Sequence, residues 1–128
     1  VLTTVGPYQL YGNELVAACV KAGTDYADLC GEPGWMREMI DLHHEAAKAS
    51  GARITFSCGF DSIPFDLGVL FLQAEAVKRH GSPAPRVKGR MRKMAGGASG
   101  GTVASLTETL KAVAKKPSLA LLLKSSFA

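Results

Sequence analysis

Three short segments of the chain each place a glycine beside a side chain that can do chemistry. Gly6-Pro7-Tyr8 brings a phenol to a tight turn, and Gly31-Glu32 brings a carboxylate. Residues 58–62, Cys-Gly-Phe-Asp-Ser, combine a thiol, a carboxylate and a hydroxyl. Glycine lets a ligand approach the main chain, and carboxylates can transfer protons or bind the hydroxyl groups of a ribose. The candidate site residues are Gly6, Pro7, Tyr8, Gly31, Glu32, Gly59, Asp61 and Ser62.

Each candidate also has an ordinary structural explanation. Tyr8 can be a packed aromatic ring in a turn, and Glu32 can cap the helix that follows it. The spacing leaves both interpretations open for these two residues. Asp61 and Ser62 can cap the next helix, so capping competes with a catalytic role there. The sequence places no histidine beside the thiol of Cys58, so we favour a small buried hydrophobic residue at that position.

The elements that must position these residues alternate between short apolar runs and segments of helical spacing. Each of the first three runs ends in one of the glycine segments described above. Strands that alternate with helices over short connections predict an α/β fold with a parallel sheet, where ligands bind beyond the carboxyl ends of the strands. The predicted strands are 1–5, 25–30 and 53–58, and the first predicted helix is 14–22 with Asn13 as N-cap. The second helix is opened by Pro33 or Gly34 and closed by Gly51, and the third is capped by Asp61 or Ser62 and runs to about His80.

A second region is predicted after the linker at residues 81–85, which is rich in glycine and proline. Residues 86–94 predict a fourth strand, and residues 95–101 predict a glycine-rich loop. Helices are predicted over 102–116 and from Pro117 onward. The loop could bind an anion but lacks the lysine of a P-loop. The basic face of the predicted strand is typical of a solvated surface, the alternative being a positive wall over a cofactor phosphate or a lipid headgroup.

Composition restricts the class of protein. The chain has 128 residues, with 15 Lys+Arg against 11 Asp+Glu, for a net charge of +4. Aromatic residues make up only 7% and the basic residues are dispersed, which disfavours nucleic-acid binding. Three scattered cysteines predict neither disulfides nor a metal site, and indicate a reducing, cytoplasmic location. No apolar run approaches the roughly 20 residues of a membrane-spanning helix.

Several longer stretches resemble the saccharopine dehydrogenase-like oxidoreductases, in particular the branch of trans-acting enoyl reductases. They lie between about residue 3 and residue 105. The family's glycine-rich pyrophosphate fingerprint has no match in this chain, so we expect an internal piece of a larger protein that is inactive alone. The stretches that carry the resemblance are 4–8, 11–12, 18–19, 23–32, 58–64, 66–68 and 99–102.

The resemblance implies fold and activity. Residues 1–82 would be the second half, the C-terminal part, of a Rossmann-type NAD(P)-binding domain with a parallel sheet. Residues 83–128 would begin an α+β substrate and dimerisation domain. The expected activity is hydride transfer between NADP or NAD and an unsaturated or imine-type substrate, free or lipid-linked. A homodimer with peripheral membrane contact would suit such a protein, and the alternative is a non-catalytic Rossmann scaffold that binds a lipid surface or a protein.

The resemblance also implies roles for the candidate residues. The turn Gly6-Pro7-Tyr8 would lie beside the nicotinamide. Gly31 and Gly59 would line the pocket where cofactor meets substrate. Glu32, Asp61 and Ser62 would line the same pocket, and we take them as the catalytic residues because each follows the carboxyl end of a predicted parallel strand. No metal is expected.

Overall fold

The computed structural model describes residues 1–97 and 99–124, with side chains up to residue 121. The described chain forms two compact units. The first contains residues 1–58 and the C-terminal helices, and the second contains residues 59–97. The domain boundary expected between residues 82 and 83 stays a prediction. No helix of the described residues is both long and apolar enough to cross a membrane.

A small parallel sheet organises the first unit, which confirms the predicted α/β class. Its order is β1-β2-β3, with Leu2 opposite Ala27 and Tyr26 opposite Ile54. Because all strands run in the same direction, their carboxyl ends lie at one edge of the sheet. The strands are β1 (Leu2–Thr3), β2 (Tyr26–Asp28) and β3 (Ile54–Thr55).

All three strands are shorter than predicted, and local contacts explain where each stops. After β1, the backbone N–H of Val5 donates to Oγ1 of Thr3 (3.3 Å), a local bond that competes with the sheet ladder. After β2, the N–H of Cys30 donates to Oδ1 of Asp28 (3.0 Å). After β3, Ser57 takes a left-handed backbone with φ 57°, which ends the extended run.

Helices form largely where the periodicity predicts them. Gly23 and Gly51, with φ of 65° and 77°, end the second and third helices as expected. Asn13 is not the N-cap that the sequence predicts. Gly12 holds that position, and Oδ1 of Asn13 accepts from Nε1 of Trp35 (2.7 Å) instead. The helices are α1 (Tyr8–Tyr11), which the sequence did not predict, α2 (Asn13–Ala22), α3 (Pro33–Ser50), α4 (Ile63–His80), α5 (Gly100–Lys115) and α6 (Leu119–Lys124).

Aromatic rings dominate the core of the first unit. The ring of Trp35 lies 5.5 Å from that of Tyr8 and 5.4 Å from that of Phe56, measured between centroids. The edge of the Phe56 ring also faces Tyr26. This cluster joins Trp35, in the first turn of α3, to the rings of Tyr8 and Phe56. The other buried members of this core cluster are Val16, Cys19, Val20, Cys30, Met39 and Ala47.

The unit of residues 59–97 is built on α4, which has no buried residue. The amide of Gln73 donates to the carbonyl of Ala84 (3.0 Å) and accepts from its N–H (2.7 Å), and this holds the linker against the helix. The strand predicted over residues 86–94 is wrong, because these residues pair with no strand in the described chain. Later, α5 begins two residues early, since Ser99 caps it by accepting from the N–H of Thr102 (3.2 Å).

An exposed ion pair joins the beginnings of β2 and β3 and predicts a measurable pH dependence. Arg53 donates to Asp25 from its backbone N–H and from Nε, both at 2.9 Å. These hydrogen bonds lower the pKa of Asp25 from 3.8 to about 2. Because the folded pKa is depressed, the pair stabilises the fold fully above the ordinary value and ceases to do so as the pH falls through about 2.

Replacing Arg53 with glutamine removes the charge and the side-chain contacts and leaves the backbone contact. The pKa of Asp25, measured by NMR titration of its carboxyl carbon, should then rise toward its ordinary value. A pKa that stays near 2 in Arg53→Gln would show that the ion pair is not its cause.

Candidate active site at the strand exits

The exits of β1 and β2 are joined by a buried carboxylate. Oε1 of Glu32 accepts from the backbone N–H of Tyr8 (2.9 Å), and Oε2 accepts from that of Gln9 (3.0 Å). Glu32 and Tyr8 are each only 2% exposed. The structure therefore brings these two predicted site residues together, as a support beneath the sheet edge.

Glu32 stands at the N-cap position of α3, but its side chain does not cap that helix. One of the two interpretations from the sequence was that Glu32 caps the helix that follows it, and this prediction is therefore wrong. The carboxylate turns back to α1, whose first N–H groups have no partner within the helix. Hydrogen bonds from neutral donors to an ionised acceptor are strong. The contact anchors the turn Gly6-Pro7-Tyr8 to the exit of β2.

The phenol of Tyr8 makes a second bridge between the same exits. Its hydroxyl donates to the carbonyl of Thr3 (3.3 Å) and accepts from the N–H of Leu29 (3.4 Å). Burial raises the pKa of Tyr8, so the phenol is neutral at physiological pH. The hydroxyl is thus occupied by main-chain groups on both sides.

Asp28 joins the exits of β2 and β3, a role that the sequence analysis did not assign. This carboxylate is 2% exposed. Its Oδ2 accepts from the hydroxyl of Tyr26 (2.8 Å), and its Oδ1 accepts from the N–H groups of Cys30 (3.0 Å) and Ser57 (2.9 Å). Burial, and then the hydrogen bond to Asp28, raise the pKa of Tyr26. The pattern Tyr-x-Asp in β2 is the signal that could have found it, since alternate strand residues share a face.

The two thiols near the edge make structural contacts. Burial raises the pKa of Cys30 to about 12, which keeps the thiol neutral, and its sulfur accepts from the N–H of Glu32 (3.3 Å). Cys58 is half-buried, and its backbone N–H donates to the carbonyl of Asp28 (2.6 Å). A reactive thiol needs its pKa lowered, which is the opposite of the shift at Cys30.

The glycines at the exits differ in the space around them. A Cβ added at Gly6 would lie 3.2 Å from Oγ of Ser105 and 3.4 Å from the ring of Tyr8. Pro7 is buried. Gly31 is exposed, and a Cβ added there would meet nothing within 4 Å. Among the predicted cofactor-binding residues of the first unit, Gly31 leaves its main chain accessible to a ligand.

Gly59, Asp61 and Ser62 belong to the other unit. Asp61 is exposed, and Ser62 occupies the N-cap position of α4 without a capping hydrogen bond from its side chain. The N–H of Ser62 instead donates to the carbonyl of Gly59 (3.2 Å), which forms a turn before the helix. The place of these three residues beside Glu32 stays a prediction.

Comparison with known proteins shows what the chain resembles. A putative trans-acting enoyl reductase of Mycobacterium tuberculosis is 50% identical over 117 residues, which are 91% of this chain and 28% of that protein. The chain is similar to trans-acting enoyl reductases. The one of Mycobacterium ulcerans is 48% identical over 118 residues, with 91% of this chain and 28% of that protein covered. The one of Mycobacterium leprae is 59% identical over 78 residues, 61% of this chain and 19% of that protein.

The chain therefore spans about 28% of the length of the first two of these relatives. The resemblance to the branch of trans-acting enoyl reductases is confirmed. No protein-family model matches the chain, and no solved structure matches it. Membership of the wider saccharopine dehydrogenase-like family and the Rossmann-type topology stay predictions.

Proposed function

We propose that the protein is an NAD(P)H-dependent oxidoreductase that reduces the carbon–carbon double bond of an enoyl group carried on a lipid-linked substrate. The observation that carries this proposal is the 50% identity, over 91% of the chain, to a relative named as an enoyl reductase. The parallel sheet supports it, because ligands of such sheets bind beyond the carboxyl ends of the strands.

We propose the strand exits of the first unit as the place where the cofactor ring binds. Gly31 leaves its main chain open, and the turn at residues 6–8 is held in place by Glu32. In the proposal, Gly6, Pro7 and Gly31 form the surface beside the nicotinamide, and Gly59 of the other unit is a further cofactor-binding residue. Bound NAD(P)H supplies a hydride to the substrate. Tyr8 and Glu32 act from beneath, by fixing where this surface lies.

A bulkier residue at position 31 should weaken cofactor binding without changing the stability of the fold. We expect Gly31→Ala to leave the melting temperature unchanged, because its backbone is not left-handed and the added methyl meets no atom within 4 Å. The methyl should nevertheless hinder approach of the ring and weaken NADPH binding about tenfold in a fluorescence titration, which corresponds to about 1.4 kcal/mol. Gly68→Ala, also without neighbours within 4 Å, is the control for stability and binding.

The same titration tests the proposed function against its alternative. A full-length protein that binds neither NADPH nor NADH at millimolar concentration would be a scaffold that contacts a lipid surface or another protein. Binding that is equally tight in wild type and Gly31→Ala would remove Gly31 from the cofactor surface.

Asp61 and Ser62 complete the proposal as the groups that handle the proton. Reduction of an enoyl group develops charge on the carbonyl oxygen and then requires a proton at carbon, a task suited to a carboxylic acid and a hydroxyl. We expect Asp61→Asn to lose turnover with its melting temperature nearly kept, because Asp61 is exposed and asparagine still serves at helix starts. Full activity in Asp61→Asn, with harm only in Asp61→Ala through instability, would make Asp61 a structural residue.

We also propose a domain organisation, an assembly and a location for the protein. Residues 1–82 would form the second half of a Rossmann-type domain, and residues 83–128 would begin a substrate and dimerisation domain. The protein would act as a homodimer in the cytoplasm, with peripheral contact to membranes that hold its substrate.

A further inference from the structure

A buried carboxylate outside the proposed catalytic set joins two of the strand exits. We infer that Asp28 is a positioning residue for the reaction, which fixes the exit of β3 against the exit of β2. The inference rests on the proposed function, because it concerns the edge at which that reaction would take place. Asp28 does not touch the reacting atoms in this account and acts through the main chain it holds.

The first argument is that the strands cannot hold this edge by themselves. β3 has two residues and β2 has three, so few ladder hydrogen bonds join them. Beyond the last pair, Ala27 with Thr55, the connection passes to Asp28. Its carbonyl accepts from the N–H of Cys58 (2.6 Å), and its Oδ1 accepts from the N–H of Ser57 (2.9 Å).

The second argument is the backbone of Ser57. Its φ of 57° lies in the left-handed region, which a residue with a side chain adopts only at a cost. Such strained conformations persist where the surroundings over-determine them, and they cluster at functional sites. Here the N–H of Ser57 is held by Asp28, and its Oγ donates to the carbonyl of Cys30 (2.7 Å). The chain therefore leaves β3 in a fixed direction.

The third argument is that the carboxylate itself cannot rotate. Oδ2 accepts from the hydroxyl of Tyr26, and Oδ1 accepts from the N–H groups of Cys30 and Ser57. Asp28 is 2% exposed, so water does not replace these partners. A fully satisfied buried network of this kind specifies one arrangement rather than several. Two strand exits are thereby set to a single relative position.

The test compares variants that keep or remove the acceptor at Oδ1. Asp28→Asn keeps an oxygen for both backbone N–H groups, and the hydroxyl of Tyr26 can accept from the new amide. Asp28→Ala removes every side-chain contact. Misplacement of reacting groups by about 1 Å costs on the order of 10²-fold in rate. We therefore expect kcat to fall about 10²-fold in Asp28→Ala and to stay within about threefold of wild type in Asp28→Asn, with KM for NADPH little changed in both.

A second variant keeps the test valid if Asp28→Ala does not fold. Ser57→Gly removes the contact to the carbonyl of Cys30 and at the same time relieves the left-handed strain, because glycine adopts this backbone freely. Its melting temperature should be maintained, and its kcat should fall about tenfold through the looser exit. A role limited to stability would leave kcat of this folded variant unchanged.

Hydrogen exchange at the amides of Ser57 and Cys58 supplies a readout that needs no turnover. Exchange should accelerate at least about tenfold in Asp28→Ala and remain slow in Asp28→Asn. Wild-type kcat in folded Ser57→Gly and Asp28→Ala, or equal loss in Asp28→Asn and Asp28→Ala, would overturn the inference while leaving the proposed function intact. A wild-type protein that reduces no enoyl substrate would overturn the proposed function first, and this assignment with it.

Discussion

Replacing Glu32 with alanine is expected to lower the free energy of unfolding by about 3 kcal/mol, because two main-chain donors lose an ionised acceptor. The N–H of Tyr8 is buried and that of Gln9 is partly buried, so water cannot fully replace the carboxylate. Urea denaturation measures the change. Glu38→Ala is the matched control, since Glu38 is an exposed glutamate of the same helix and should change stability by less than about 0.5 kcal/mol.

Glu32→Gln distinguishes the structural role from a catalytic one. Glutamine offers a single oxygen, so one of the two N–H groups is left without an acceptor and stability should fall by about 1.5 kcal/mol. Turnover should fall only to the extent that the lost hydrogen bond loosens the turn at residues 6–8. Loss of all turnover in Glu32→Gln, with the unfolding free energy unchanged, would contradict this account and make Glu32 an acid or base.

Gly12→Ala is the other substitution with a large expected effect. A Cβ at this position would clash with Cζ2 of Trp35 and would lie 2.8 Å from the carbonyl oxygen of Tyr8. The indole is rigid and bonded to Asn13, so neither neighbour can move cheaply. Overpacking of this kind costs about 3 kcal/mol, which should appear in thermal or urea unfolding.

The control for this substitution is Gly68→Ala, in the middle of α4. A methyl there meets nothing within 4 Å, and alanine is the better helix former by about 0.5–1 kcal/mol. Gly68→Ala should therefore be neutral or stabilising. Wild-type stability in Gly12→Ala would mean that Trp35 does not pack over the start of α2 as described.

The sequence predicts the order of elements well because periodicity and glycine stops act locally. The ends of α2 and α3 at Gly23 and Gly51 were predicted for this reason. Strand length was overestimated, since side chains such as Asp28 take over the hydrogen bonds at the sheet edge. Residues 86–94 have the alternation of a strand but no described strand beside them, and pairing cannot be read from one segment alone.

The candidate site was predicted in part for similar reasons. Glycine beside a polar residue correctly marked the strand exits, and the structure joins Tyr8 to Glu32 there. The direction of the Glu32 side chain, back to α1 rather than forward to α3, depends on a contact across 24 positions of sequence. The role of Asp28 depends on Ser57, 29 positions away. Spacing within one segment carries no information on such partners.

Transfer of deuterium from labelled cofactor tests the central claim most directly. The full-length protein is incubated with an enoyl thioester and with NADPH or NADH that carries deuterium at both C4 positions of the nicotinamide, and the product is analysed by mass spectrometry. The account predicts a saturated thioester that carries one deuterium at the β-carbon with at least one of the two cofactors. An unreduced substrate, or a saturated product without deuterium, with both cofactors at millimolar concentration would contradict it.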